Sequence, residues 1–474
     1  MNLFRLSREQ QLHVLWFPNK ISLYIALWLL FIPGIITAQQ QHVRPEKSVT
    51  PATALEQYIH NGDSTFEWTI EDVHTENNIT RYNVLLTSQK WRGFVWKHQL
   101  TVFVPEKIVY DGALLFISGG SVENGYPRWD KNDNRYWPVL GEMAKQNNAV
   151  TAVIKQVPNQ PIIGKMTEDE LISYTLHQFK NDKDYTWPLL FPMVKSAIRG
   201  LDAVQQLVKQ TTDKTVDRFV ISGASKRGWT TWLTAAIDDP RVVGIGPMVI
   251  DMLNLPATLD YQYKTYGDYS VQIQDYTKLG IAQDIQSEDG KALQTMIDPY
   301  SYRNKLTIPK VIFVGTNDEY WTLDAIKFSW NDMPGKNMIH IVPNAGHDLG
   351  GGEQAFKALN GFFATTLQGK EYPVLDWAST PSSKGTLLTI KAPKTDLEEA
   401  YLWYATSSDK DFRNNLWKSV RLKLKNEEVL EVEVPHPKKG YYGFYVALQY
   451  KNPAGGNYLV STRAFISDKK GVQD

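Results

Sequence analysis

The chain has no cysteine among its 474 residues. It can therefore form no disulfide bond, thiolate metal site or cysteine nucleophile, and its stability must come from burial of a hydrophobic core. Net charge is also absent, because 51 Lys and Arg residues balance 51 Asp and Glu residues. This balance, with neither a basic face nor an acidic tail, gives no indication of nucleic-acid binding.

Histidine is scarce, at nine residues, and none has the spacing of a metal-binding motif such as H-E-x-x-H. We interpret His98, His177 and His340 as structural residues. The sequence therefore predicts neither a metal site nor a cofactor.

Only one long hydrophobic run is present, at residues 21–38 (ISLYIALWLLFIPGIITA), and basic residues precede it. This pattern predicts a secretory signal peptide over residues 1–38, with Ala38 as the last residue before cleavage. The run is near the lower length limit for a membrane span, so an uncleaved anchor is the alternative. Pro33 and the polar QQQH that follows favour cleavage. We expect a secreted or periplasmic product without a membrane span.

Short apolar strands alternate with amphipathic helices through most of the remaining chain, which is too long for one ordinary core. Strands are predicted at residues 82–86, 99–104, 112–121, 149–157, 218–222, 242–250, 309–314 and 338–342. This pattern predicts an α/β fold with a mostly parallel sheet covered on both faces. Long connections near residues 158–192 and 252–308 are expected to roof the carboxyl ends of the strands, where ligands bind.

After Leu367 the sequence changes to short strands separated by polar turns, without a further helix. We predict a catalytic domain at residues 39–370 and a C-terminal β-sandwich of the immunoglobulin or fibronectin type at residues 376–468.

The segment FVISGASKRGW places Ser225 between a strand and a helix. A serine on such an elbow lies at the helix N-terminus, where backbone N–H groups favour a developing oxyanion. The usual pentapeptide is G-x-S-x-G, and here the second glycine, Gly228, comes one position late. By itself the motif is therefore weak.

Two further residues strengthen the interpretation. Asp318 follows a buried strand in VIFVGTNDEYW, and His347 follows the next in IHIVPNAGHDLGG. The order serine, acid, histidine is that of α/β-hydrolases. A serine hydroxyl needs a base to remove its proton, and a carboxylate must orient that base. We therefore predict a catalytic triad of Ser225, His347 and Asp318.

Alternatives remain, since His347 in its glycine-flanked loop could be a surface residue. Asp318 could simply cap a turn, and Asp324 is the alternative acid. The predicted oxyanion donors are the N–H of Lys226 and the glycine turn at Gly119 and Gly120.

Tryptophan is abundant, at 15 residues, although most tryptophans belong to cores. Candidate substrate contacts near predicted loops or in the first insertion are Trp91, Trp96, Trp187, Trp321, Glu168 and Glu170.

Several long segments resemble the PhoPQ-activated pathogenicity-related protein family. They are LTSQKWRGFVWKH, YTWPLLFPMVKSAIRGLDA, GASKRGWTTWL, GTNDEYW and NAGH. The resemblance extends from about Ala54 to the C-terminal strands. It implies an exported α/β-hydrolase-like protein with a trailing β domain, linked in some bacteria to virulence or antimicrobial-peptide resistance. It also implies secreted eukaryotic relatives that repress proliferation, and it assigns Ser225, Asp318 and His347 as the triad.

The elbow is also similar to the G-C-S-R-x-G of glucuronoyl esterases, with Ala224 in place of cysteine and Lys226 in place of arginine. The leading hypothesis is a serine hydrolase that cleaves an ester or amide bond of a small-molecule, peptide or glycan substrate. The alternatives are a non-catalytic secreted binding or signalling protein on a hydrolase scaffold, and a carbohydrate esterase or acyltransferase.

Overall fold

The computed structural model describes residues 48–130, 135–424 and 429–473. All of these except Ser48 belong to one compact unit. The predicted signal peptide, residues 1–38, lies outside the described residues. Among the residues that are described, no helix is both long enough and apolar enough to cross a membrane.

The first part of the chain forms a mixed β-sheet. In chain order the strands are β1 (Glu67–Glu76), β2 (Ile79–Trp91), β3 (Phe94–Pro105), β4 (Gly112–Ile117), β5 (Val122–Glu123), β6 (Tyr126–Pro127), β7 (Val150–Ile154), β8 (Arg218–Ala224), β9 (Val242–Met248), β10 (Lys310–Gly315) and β11 (Asn337–Val342). The sheet order is β1-β2-β3-β7-β4-β8-β9-β10-β11, and β5 and β6 form a small separate hairpin. Neighbours from β7 to β11 run parallel, whereas β1, β2 and β3 are antiparallel to one another and β3 is antiparallel to β7.

The helices connect these strands and cover the sheet. They are α1 (Ala54–Ile59), α2 (Trp137–Asn147), α3 (Glu168–Asp182), α4 (Leu190–Thr211), α5 (Lys226–Ala235), α6 (Leu255–Tyr266), α7 (Gln274–Lys278), α8 (Glu288–Ile297) and α9 (Glu353–Gln368). Short 3-10 helices occur at Val271–Ile273, Pro299–Lys305, Ala325–Phe328, Trp330–Asp332 and Leu349–Gly351.

Strand β4 shows why the sheet is covered on both faces. Its sequence GALLFI is buried at every position, and successive side chains in a strand point to opposite faces. Leu115 belongs to the core that contains α4 and α5, whereas Leu114 and Phe116 belong to the core that contains α2 and α9. Helices therefore pack on both faces of this mostly parallel sheet, which is the α/β-hydrolase fold predicted from the sequence.

The two long connections are largely helical. The one near residues 158–192 contains α3, and the one near residues 252–308 contains α6, α7 and α8. The segment between the first two predicted strands differs from the prediction, because β2 and β3 extend through it as one hairpin that pairs Trp91 with Phe94.

The chain beyond α9 consists of β-strands in its described part. They are β12 (Asp376–Pro381), β13 (Gly385–Lys391), β14 (Leu397–Ser407), β15 (Lys418–Leu422), β16 (Val429–Pro435), β17 (Tyr441–Lys451), β18 (Asn457–Ser461), β19 (Phe465–Asp468) and β20 (Gly471–Val472). Strand β18 pairs with β11 through Ser461 and Ile339, so the sheet continues to 15 strands, while β12, β13 and β16 form a separate three-stranded sheet. Val432 of that sheet and Phe444 of β17 share one core, as layers of a sandwich do. Whether these strands fold as a separate domain stays a prediction.

Candidate active site

Ser225 lies between the last residue of β8 and the first residue of α5. Its backbone has φ 58° and ψ −128°, a conformation that non-glycine residues rarely adopt and that is strained. The Ser225 N–H donates to the carbonyl of Met248 at 2.9 Å, which ties the turn to the end of β9. The strained turn is the strand-to-helix elbow that the sequence predicted.

Two glycines allow the close packing of this elbow. A Cβ atom on Gly223 would lie 2.8 Å from the carbonyl oxygen of Arg227. A Cβ atom on Gly228 would lie 2.8 Å from the carbonyl oxygen of Met248. Both separations are too short for a side chain, so the late second glycine of the motif is required where α5 approaches β9.

His347 and Asp318 meet beyond the ends of β11 and β10. Nδ1 of His347 lies 3.0 Å from each carboxylate oxygen of Asp318, whose side chain is only 6% exposed. An ionised carboxylate only accepts hydrogen bonds, so Nδ1 carries a proton, and in the neutral imidazole Nε2 then has the free lone pair. Nε2 is buried without a hydrogen-bond partner in the described part of the protein. The imidazole is therefore oriented to accept a proton at Nε2.

The structure does not join His347 directly to Ser225. Among the described residues, neither the Ser225 hydroxyl nor Nε2 of His347 makes a hydrogen bond. Tyr320 lies near both residues. Its ring stacks on the imidazole of His347 at 4.0 Å, and it also lines a cavity beside Ser225. Burial and the negative charges of Asp169 and Asp318 raise the pKa of Tyr320 to about 12, so it is neutral near pH 7.

The alternative acid, Asp324, does not hold the imidazole. It is fully buried and accepts from Lys327 at 2.9 Å and from the Tyr261 hydroxyl at 3.3 Å. Asp251, just past β9, is a further acidic residue near the site that our sequence analysis missed. Burial, with the negative charges of Asp318 and Asp324, raises its pKa to about 8.

An ion-pair cluster joins α3 to the elbow. Arg227 donates to both carboxylate oxygens of Glu168 at 2.7 Å. Lys226 Nζ lies 3.0 Å from Glu168 and 3.2 Å from Asp169. Burial alone would raise the pKa of Glu168, but the hydrogen bonds and charges of Arg227 and Lys226 hold it at about 2. The cluster therefore fixes the first insertion against the two residues that follow Ser225.

Two of the candidate substrate contacts, Glu168 and Glu170, are not among the residues that line the cavity beside Ser225. Glu168 is bound by Arg227 and Lys226 and is not free to meet a substrate amine, and Glu170 is exposed to solvent away from the cavity. The Lys226 side chain, which the glucuronoyl-esterase likeness aligned with arginine, is 9% exposed and held by two carboxylates.

The predicted oxyanion donors lie around the same elbow. Lys226 is the first residue of α5, so its N–H has no partner within the helix. The glycine turn adjoins the elbow, since a Cβ on Gly119 would lie 2.5 Å from the Arg227 guanidinium. Gly120 has φ 146° and lies beside the Gln156 side chain. Neither the Lys226 nor the Gly120 N–H forms a hydrogen bond within the described chain.

A small, mainly apolar cavity of about 60 Å³ lies beside Ser225 and is partly open to solvent. Ser225, Lys226 and Asp169 supply polar groups to its lining. Apolar side chains from the second insertion make up much of the wall, among them Leu255, Leu259, Ile281, Leu293 and Ile297. The two insertions thus cover the sheet edge where the serine lies.

Of the predicted tryptophans, Trp321 lines this cavity. Trp91 and Trp96 are buried core residues of the β2–β3 hairpin, at 2% and 0% exposure, and the Trp91 N–H donates to the Thr186 carbonyl at 2.9 Å. Trp187 packs against Trp91 and under Arg92. These three do not line the cavity. The β2–β3 hairpin carries Trp91 and Trp96 into the core, and Trp187, which lies between α3 and α4, packs against Trp91.

Residues 412–417, in the C-terminal part, support the loops that carry Asp318 and His347. The Asn317 amide donates to the carbonyls of Phe412, Arg413 and Asn415 at 3.2, 3.1 and 2.8 Å. Asn344 exchanges two hydrogen bonds with the Trp417 backbone, at 3.1 and 2.7 Å. Sequence analysis missed both asparagines, whose only signal was their position beside the predicted triad residues.

The sheet order, the strained serine elbow and the His347–Asp318 pair define a protein of the α/β-hydrolase fold. Residues 55–413 match the family described as PhoPQ-activated pathogenicity-related protein. The chain belongs to this family.

Comparison with known proteins identifies one curated relative and several structural neighbours. Autocrine proliferation repressor protein A of Dictyostelium discoideum is 30% identical over 453 residues, which cover 86% of this chain and 89% of that protein. Acetyl xylan esterase 1 from a Thermoanaerobacterium species has a TM-score of 0.48 at 16% identity, over 67% of this chain and 92% of the esterase. A glucuronoyl esterase from Solibacter usitatus has a TM-score of 0.37 at 12% identity, over 64% and 86% of the two chains.

Proposed function

We propose that the protein is a serine hydrolase that cleaves an ester or amide bond with Ser225, His347 and Asp318 as its catalytic triad. The observation that carries the proposal is the imidazole of His347, whose Nδ1 is held by Asp318 while Nε2 has no partner among the described residues. The strained elbow at Ser225 adds a second feature of a nucleophile site.

Each group has a defined role in the proposed reaction. The Ser225 oxygen attacks the substrate carbonyl carbon, and Nε2 of His347 takes the hydroxyl proton. The N–H of Lys226, with Gly119 and Gly120, stabilises the negative charge on the carbonyl oxygen. The leaving group departs with the proton from Nε2. Water then attacks the acyl carbon while Nε2 takes a proton from it, and this proton passes to the Ser225 oxygen as the bond to the acyl group breaks and the acid is released. Asp318 keeps the imidazole in the required tautomer.

The missing hydrogen bond between Ser225 and His347 does not oppose this role, because catalytic hydrogen bonds often shorten only when substrate binds. Labelling with a fluorophosphonate probe tests the proposal directly. We expect one adduct, on Ser225, in the folded protein, and none in Ser225→Ala or in heat-denatured protein. Folded wild-type protein that stays unlabelled would argue strongly against the triad.

A second candidate is a non-catalytic signalling protein on the same fold. It is favoured by the name of the Dictyostelium relative, a proliferation repressor. Ser225→Ala separates the two functions in a proliferation assay, because a binding protein would keep its potency and a hydrolase would lose it. Acyl transfer to a sugar or lipid acceptor would use the same triad, and mass spectrometry of the products distinguishes that acceptor from water.

We also propose that the protein is exported after cleavage of residues 1–38, with a role related to virulence or antimicrobial-peptide resistance. The apolar run behind basic residues and the family assignment support export. Sequencing the N-terminus of the mature protein from the secreted or periplasmic fraction tests the cleavage site.

A further inference from the structure

The cavity beside Ser225 has the character of a binding site for an aliphatic chain. Its lining takes Leu255 and Leu259 from successive turns of α6, and Leu293 and Ile297 from successive turns of α8. These side chains are almost completely buried, as core residues are. Concave apolar sites of this kind bind ligands mainly through the hydrophobic effect.

The charged groups of the lining do not offer free partners to a polar substrate. Lys226 Nζ is paired with Glu168 and Asp169, and Asp169 also accepts from the Tyr276 hydroxyl at 2.9 Å. A sugar in this cavity would bury hydroxyl groups against apolar walls, and each unsatisfied group would weaken binding. The wall therefore selects against hydroxyl-rich groups and in favour of hydrocarbon.

The position of His347 indicates which part of the substrate the cavity takes. In the proposed reaction His347 protonates the leaving group, which must therefore lie on the imidazole side of Ser225. In the described part of the chain Ser225 lines the cavity and His347 does not, although Tyr320, which stacks on the His347 ring, also lines it. Because Ser225 itself contacts the cavity, we assign the cavity to the acyl group, which stays bound to the serine while the leaving group departs.

We propose that the substrate carries an aliphatic acyl group longer than acetyl, which this cavity binds. The inference rests on the hydrolase function proposed above and adds the class of acyl donor. An ester or amide of a fatty acid fits these requirements.

The wall of the cavity also supplies a matched control. Leu259, Ala282 and Ile285 line both the cavity and a groove on its outer side. Ala257 lines the outer groove and not the cavity. A large side chain at Ala257 therefore changes the same part of the second insertion without filling the acyl site.

The test is a series of p-nitrophenyl esters from acetate through butyrate and hexanoate to decanoate, with one constant leaving group. Burial of each added methylene should raise kcat/KM about fourfold until the cavity is full. In parallel, alkyl fluorophosphonates of increasing chain length should label Ser225 at increasing rates.

Two variants alter the cavity in opposite directions. Ile281→Phe fills it, so the preferred acyl chain should become shorter. Leu293→Ala enlarges it, so the preferred chain should become longer. Ala257→Phe should keep the wild-type profile. Thermal unfolding of each variant shows whether it is folded, and either cavity variant alone is sufficient for the test.

The outcomes separate the two proposals. Labelling of Ser225 with an acetate preference, or a chain-length profile unchanged in both cavity variants, would overturn the aliphatic acyl group and leave the hydrolase. Dependence on the alcohol chain instead of the acyl chain would do the same. Absence of both labelling and hydrolysis would overturn the hydrolase itself.

Discussion

The two halves of the candidate site are supported by different kinds of interaction. On the serine side, α3 holds the elbow through ion pairs of Glu168 with Lys226 and Arg227. On the histidine side, Asn317 and Asn344 hold the loops through neutral hydrogen bonds to residues 412–417. Charged contacts depend on pH and salt, whereas amide contacts hardly do. A substitution can therefore disturb the contacts that support one half of the site without directly changing the contacts that support the other half.

The largest expected effect comes from the acid on the histidine side. Asp318→Asn should lower kcat about 10,000-fold, because the amide donates to the ring and favours the wrong tautomer. Hydrolysis of an activated ester measures the loss. Asp324→Asn is the matched control and should leave most activity, since Asp324 binds Lys327 and Tyr261. Equal losses of kcat in the two variants would contradict the assignment of Asp318, and not Asp324, as the acid that orients His347.

The next largest effect is expected on the serine side. Glu168→Ala leaves Lys226 and Arg227 without their shared partner and should lower the free energy of unfolding by about 3 kcal/mol, the lower end for a buried ion pair, because the Glu168 side chain is 38% exposed to screening solvent. Chemical denaturation measures this change. Glu170→Ala, in the same helical turn but exposed, should change it by no more than about 0.5 kcal/mol. Similar values for the two variants would mean that the cluster does not stabilise the elbow.

A smaller effect is expected for the neutral contacts. Asn317→Ala removes an amide that three backbone carbonyls share and should cost about 2 kcal/mol of unfolding free energy. It should also lower kcat more than it changes KM, because the adjacent Asp318 loses its support. The exposed Asn414→Ala is the control. Loss of stability with unchanged kcat would show that residues 412–417 stabilise the fold without positioning the acid.

We expect the smallest effect on stability from Glu168→Gln, which is also the sharpest test of the difference between the two halves of the site. This variant keeps the shape of the carboxylate but loses its charge, and should cost about 1 kcal/mol near neutral pH. The pKa of Glu168 is lowered to about 2 in the folded protein. Its charge therefore stabilises the fold above about pH 4.5, and this contribution disappears as the pH falls towards 2.

The stability difference between wild type and Glu168→Gln should accordingly shrink over that range. The difference between wild type and Asn317→Ala should stay nearly constant, because no titrating group is removed. Denaturant midpoints measured from neutral to acidic pH provide the comparison. Parallel pH curves for both variants would show that the two halves do not differ in this way.

Periodicity in the sequence located the central sheet and the residues at its edge. Ser225, Asp318 and His347 each follow a continuous apolar strand, and parallel strands bring such positions to one edge. The structure places Asp318 and His347 in contact there, while the catalytic roles of the three remain predictions. The extent of β2 and β3 was missed because polar residues interrupt the apolar pattern between Leu86 and Gln99.

The supporting contacts could not have been predicted in this way. Glu168 and Arg227 lie far apart in the chain, and so do Asn317 and Asn415. Such pairs depend on how loops fold back over the sheet, which local patterns do not encode. The sequence does contain a pattern that indicates the cavity walls, because Leu255 and Leu259 are four residues apart, as are Leu293 and Ile297. This spacing predicts apolar helix faces that need a covered surface.

The pairing of β18 with β11 has a practical consequence for dividing the protein. A chain that stops at Gly369 would end just after α9 and would lack β18. Strand β11 would then become an open edge, and unpaired edges of this kind attract other chains and promote aggregation. The amides of Asn317 and Asn344 would also lose their acceptors in residues 412–417. Shortened versions should therefore keep the C-terminal strands if they are to avoid aggregation and to keep the loops of Asp318 and His347 supported.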